Sequence, residues 1–116
     1  MSLEVAEREL QDKIVLLAPK GVVDHFSHPK LQAAIEKLLQ AKKSRIAIDL
    51  AGVEYMSSAG VGILINYREE ARKLGGDLAA FSPGPRVKAA LDVLGIEYRA
   101  TREEALAALG PIRPAP

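Results

Sequence analysis

The sequence predicts an α/β fold: one domain with a mixed, mostly parallel sheet of about five strands and four helices in the order ββαβαβαβα. Two observations carry this. Short, branched apolar runs alternate with longer stretches whose apolar residues recur at spacings of three and four. The chain is 116 residues long and has neither an internal repeat nor a linker, so residues 1–110 form one unit.

Leu3 to Leu10 alternates weakly between apolar and charged residues, as an edge strand does. "KIVLLAP", Lys13 to Pro19, is a buried strand that Gly21 breaks. A tight turn near Gln11-Asp12 makes these two antiparallel. "SHPKLQAAIEKLLQAKK" is a helix capped by Ser27 or His28, with Pro29 in its first turn. Leu31, Ala34, Ile35, Leu38 and Leu39 form its apolar face. "RIAIDL", Arg45 to Leu50, is the next buried strand.

After Ala51-Gly52 comes "YMSSAGVG" and a helix running to about Leu74, ended by Gly75-Gly76. Its inward residues are expected to be Val61, Leu64, Ile65 and Ala71. Arg68, Glu69, Glu70, Arg72 and Lys73 form a solvated face. "DLAAFS" is another buried strand. Val87, Ala90, Leu91 and Leu94 stripe a helix that stops at Gly95. "IEYRA", Ile96 to Ala100, reads as a short edge strand. Thr101 and Glu104 have capping-box spacing for a last helix, Thr101 to Leu109, closed by Gly110. Residues 111–116, "PIRPAP", read as a flexible proline-rich tail.

Composition narrows the function. Sixteen basic and fifteen acidic residues give a net charge of +1, which offers nothing to attract nucleic acid or an anionic membrane. Aromatics are only 4%, so base-stacking platforms are not expected. There is no cysteine, hence no disulfide, thiol nucleophile or thiolate metal site. The start "MSLEVAEREL" lacks the basic and apolar regions of a signal peptide, and no apolar run is long enough to span a membrane. The reading is a soluble, cytoplasmic protein without a cofactor.

The candidate site is "YMSSAGVG", Tyr55 to Gly62, placed where a strand's C-terminal end turns into a helix. Ser57 is a good N-cap, and Ser58 then opens the first turn, where free N–H groups and the helix dipole favour an anion. Two glycines this early cost a helix about 1 kcal/mol each against alanine, so some close approach at Gly60 and Gly62 must compensate. That approach is either to a partner protein or to the sheet.

Nucleotide and hydrolase motifs fail here. "GVGILI" has Ile65 where a dinucleotide fingerprint needs its third glycine, and no phosphate-binding loop is present. The serines lack the leading glycine of a nucleophile elbow. His25 and His28 are the chain's two histidines; beside Asp24 they make a thin metal set and are read as cap or surface residues. Asp24 follows the second strand, at the same sheet edge as Ser58 if the strands run parallel.

The chain resembles the STAS family, specifically its single-domain anti-sigma-factor antagonists. The resemblance spans roughly Leu3 to Leu109 and is carried by "KGVVDHFSHPKLQAAIEKLL", "IAIDLAGVEYMSSAGVGILINYREEARKLGGDLAAFSP" and "VKAALDVLGIEYRATREEALAAL". It implies a monomeric binding module and no enzyme. Unphosphorylated antagonists bind an anti-sigma factor that is also a serine kinase of the GHKL type, freeing a sigma factor. The kinase then phosphorylates a serine at the start of the central helix, and a PP2C-type phosphatase resets the switch. By position the acceptor falls on Ser58, with Ser57 as rival where the family often has aspartate. Asp24, Gly60 and Gly62 match neighbouring family positions, so the implied partner surface is Asp24, Ser57, Ser58, Gly60 and Gly62. The alternative implied by the same resemblance is a STAS scaffold or regulatory subunit in a sensory assembly or transporter pathway.

Overall fold

The computed structural model describes residues 3–110, so the proline-rich tail lies outside the described residues. Strands β1 (Glu4–Glu9) and β2 (Val15–Val23) are antiparallel and joined through a short 3-10 turn at Gln11–Lys13. Helix α1 (His28–Gln40) and strand β3 (Arg45–Asp49) follow, then β4 (Val53–Met56), α2 (Ser58–Lys73) and β5 (Asp77–Phe81). Helices α3 (Pro85–Val93) and α4 (Arg102–Leu109) complete the order. The five-stranded sheet runs β1-β2-β3-β5, with β4 also on β2. All pairings except β1–β2 are parallel.

The mixed, largely parallel sheet with four helices is as the sequence predicts, with two corrections to the strand order. Strand β4 exists where the sequence suggested only a turn into the helix. It takes over β2 at Gly21–Val23, where β3 has left it. Gly21, at φ 120°, does not end the strand; just after it the register shifts, with Glu54 of β4 left unpaired. Conversely, "IEYRA" contributes a single parallel bridge, Phe81 to Arg99, instead of a strand.

Strands β2, β3 and β5 are buried on both faces for most of their length, which explains their continuous apolar runs. On one face Leu17, Ile46, Ile48 and Leu78 join Leu31, Ile35 and Leu38 of α1 and Val61 and Leu64 of α2 in the main core. On the other face Ile14, Leu16, Ala47 and Phe81 meet Ala105 and Leu109 of α4. The inward face of α2 differs from expectation: Ile65 is 45% exposed, and Gly60, Val61, Ile63, Leu64 and Ala71 are buried. Leu94, placed in the α3 stripe by spacing, is half exposed beyond the helix end.

Candidate functional site at the start of the central helix

Parallel pairing of β2 and β4 brings two loops to one sheet edge. Val23 pairs with Met56, and the Ser57 N–H donates to the Val23 carbonyl at 2.8 Å. Asp24 and Ser57 are therefore the first residues beyond adjacent strand ends.

Ser57 is the N-cap of α2, with extended backbone (φ −77°, ψ 173°). Its hydroxyl accepts from the Gly60 N–H at 3.4 Å, and its carbonyl accepts from Val61 N–H at 2.9 Å. The N–H groups of Ser58 and Ala59 have no partner among the described residues. Ser57 is half-buried, whereas Ser58 is exposed on the first helical residue. The site thus presents a free hydroxyl over two free N–H groups at the positive end of a sixteen-residue helix. A phosphate there would gain about 0.3–1 kcal/mol from the dipole.

The two glycines do different things. A Cβ on Gly60 would lie 2.7 Å from Val23 Cγ1 and 2.8 Å from Met56 Cγ, both core atoms. The expectation that Gly60 clears room for a partner is corrected: its close approach is to the sheet, and it seats α2 on β2 and β4. Gly62 has nothing within 4 Å of its would-be Cβ, so it leaves an open patch.

Asp24 shapes its own loop. Its Oδ1 accepts the Phe26 and Ser27 N–H groups, each at 2.9 Å. The Ser27 hydroxyl accepts from Asp24 N–H at 2.9 Å and donates to the Val22 carbonyl at 2.6 Å. The Ser27 N–H, chiefly, holds the Asp24 carboxyl below its ordinary pKa, with Phe26 N–H helping and partial desolvation opposing. No hydrogen bond links Asp24 to Ser58 among the described residues. His28 Nδ1 donates toward the carbonyls of Asp24 (3.2 Å) and His25 (3.0 Å), a local cap role. Among the described residues no three metal-ligating side chains cluster.

Sequence reading missed several neighbours of the site. Phe26 is 88% exposed at the tip of the Asp24 loop. Tyr55, also exposed, lies under the Arg86 guanidinium, 5.4 Å from the ring centroid. Behind the site Tyr67 of α2 donates to Glu36 of α1 at 2.6 Å, clasping the two helices. None of these pairings has a local sequence signal, because each partner comes from a distant segment.

The STAS domain model matches residues 6–105, nearly the whole described chain. This protein belongs to the STAS domain family. Among relatives, the anti-sigma-B factor antagonist of Listeria monocytogenes is 26% identical over 96 residues, covering 83% of this chain and 82% of that protein. An anti-sigma factor antagonist from Mycobacterium paratuberculosis shares the fold, with a TM-score of 0.81 at 24% identity over 93% of this chain and 94% of that one. The Bacillus cell fate determinant SpoIIAA, in its phosphorylated form, superposes with a TM-score of 0.70 at 20% identity, covering 90% of this chain and 98% of that one. No helix of the described residues is long and apolar enough to cross a membrane.

Proposed function

We propose that this STAS protein is an anti-sigma-factor antagonist acting in the cytoplasm. Unphosphorylated, it binds an anti-sigma factor that is also a GHKL-type serine kinase, and a sigma factor is freed. Phosphorylation of Ser58 breaks that complex, and a PP2C-type phosphatase restores it. The single observation that carries this reading is the exposed Ser58 hydroxyl, set over unpaired N–H groups at the start of α2. The names of its relatives support the same reading.

The physical account is an asymmetry between the two proteins. On α2 a phosphate adds about −1.5 to −2 charge where free N–H groups and the dipole accept it. On the partner, a surface shaped around a neutral hydroxyl and the open patch at Gly62 would have to desolvate that dianion without a counter-charge. Affinity falls while the STAS domain keeps its fold. Ser57 is the weaker acceptor, because it is half-buried and its hydroxyl is engaged by Gly60 N–H. Partner contacts are assigned to Ser57, Ser58 and Gly62, with Asp24 holding the adjoining loop in shape; Gly60 acts from inside. The test is phosphosite mapping by mass spectrometry after incubation with such a kinase and ATP, alongside binding of Ser58→Asp and Ser58→Ala. Unaltered binding of the aspartate variant would refute the switch.

A further inference from the structure

A partly open edge lies along β5, remote from Ser58. Asp77 and Phe81 face β3: the Asp77 N–H donates to the Ser44 carbonyl (3.0 Å), and the Phe81 carbonyl accepts from Leu50 N–H (2.9 Å). Leu78 and Ala80 therefore turn their backbone groups to the outer edge. There the Ala80 carbonyl accepts from Arg99 N–H, and the Arg99 carbonyl accepts from Ser82 N–H, both at 2.9 Å. The Leu78 N–H is covered by its neighbour's carboxylate, Asp77 Oδ1, at 2.8 Å. Two consecutive edge groups remain without a partner among the described residues: the Leu78 carbonyl and the Ala80 N–H. Ala80 is only 4% exposed, and an unpaired backbone donor so deep in a fold calls for a ligand or water.

The open rung faces a cavity of about 570 Å³ between α2, β5 and the Glu97–Arg99 segment. Arg68, Arg72 and Arg99 line it with Asp77 and Glu97, an excess of one positive charge. Arg68 and Arg72 both spend Nε on Asp77 Oδ1, at 3.1 and 3.2 Å. The terminal nitrogens of Arg72 have no partner among the described residues. Gly75 and Ala108 keep the walls low.

We propose that this slot takes the C-terminal residue of a partner polypeptide, entering parallel to β5. One extended residue offers an N–H to the Leu78 carbonyl and a carboxylate to the Ala80 N–H, which matches the open rung. An inorganic anion would satisfy Ala80 but press its oxygens against the Leu78 carbonyl. An antiparallel strand would need the Leu78 N–H that Asp77 holds. A parallel chain cannot continue past this rung, because Arg99 fills the next one, so it ends there and its carboxylate meets Arg72, while Glu97 Oε1 holds the Arg99 guanidinium at 3.3 Å. Ser58 lies fourteen residues from Arg72 along α2, about 20 Å of helix, so both positions can be occupied together.

The test is an amide NMR titration of the full chain with the pentapeptide Ac-Ser-Gly-Ala-Val-Ala, as free acid and as C-terminal amide, with sodium acetate as a third ligand. The free acid is expected to move the Ala80 amide resonance, to bind about tenfold more tightly than the amide, and to lose about the same factor in Arg72→Ala. Arg72 is exposed, so that variant should fold, and unchanged resonances elsewhere confirm it. Equal binding of acid and amide, the same shifts with acetate, or an unmoved Ala80 resonance at peptide saturation of solubility would each overturn the proposal.

Discussion

The Ser57 N–H donates to the Val23 carbonyl at 2.8 Å, and this bond fixes the loop after β2 against the start of α2. Everything at the candidate site depends on that alignment. It places the Asp24 loop beside Ser57 and Ser58, and it sets α2 close enough to β2 that residue 60 has no room for a side chain.

The glycine pair should separate cleanly by stability. Gly60→Ala drives a methyl into Val23 and Met56 and is expected to lose about 1–3 kcal/mol. Gly62→Ala meets open space inside a helix and is expected to gain up to about 1 kcal/mol. Chemical denaturation of the two variants measures both. The same gain from Gly60→Ala would show that α2 does not sit on the sheet as described.

Asp24 should keep its loop ordered well into acid. Its folded pKa is lowered, so its stabilising bonds are fully present above the unfolded value and are lost as pH falls through the lower folded value. The Phe26 and Ser27 amide resonances should report a midpoint below that of an ordinary aspartate. In Asp24→Ala those two amides should exchange faster with solvent.

Tyr67 gives the opposite sign. Burial first, then the Glu36 carboxylate it bonds, push its phenol up to about 12. A raised value favours the neutral phenol in the fold. Its contribution is therefore present below the ordinary phenol range and disappears as pH rises towards about 12. Tyr67→Phe should remove the most alkaline phenolate step from an absorbance titration. It should also loosen α1 against α2 at neutral pH.

Much of this was legible in the sequence, and the failures have local physical reasons. The apolar runs around Leu17 and Ile48 announced strands buried on both faces. The Ser57 cap, and the left-handed glycines at Gly75 and Gly95, announced helix ends. Strand β4 stayed hidden because four residues with exposed Glu54 and Tyr55 are too few to show a period. "IEYRA" has strand-forming residues, but Glu97 is drawn to Arg68 and Arg99, and only Arg99 reaches the ladder. Arg68 looked solvated because its partner Asp77 lies beyond the helix end. The sequence could place Ser58 at the helix start; whether Gly60 served a partner or the sheet required knowing how far Val23 stands from it.

The most direct test of the central claim is where phosphate lands and what it does. The unphosphorylated protein, incubated with the anti-sigma-factor kinase that it captures and with ATP, should carry phosphate on Ser58 by mass spectrometry. Ser58→Ala should bind the kinase and take up none, and Ser58→Asp should bind at least about tenfold more weakly, as an unmatched charge at an interface requires. Phosphate on Ser57 or elsewhere, or full-strength binding by Ser58→Asp, would contradict the account.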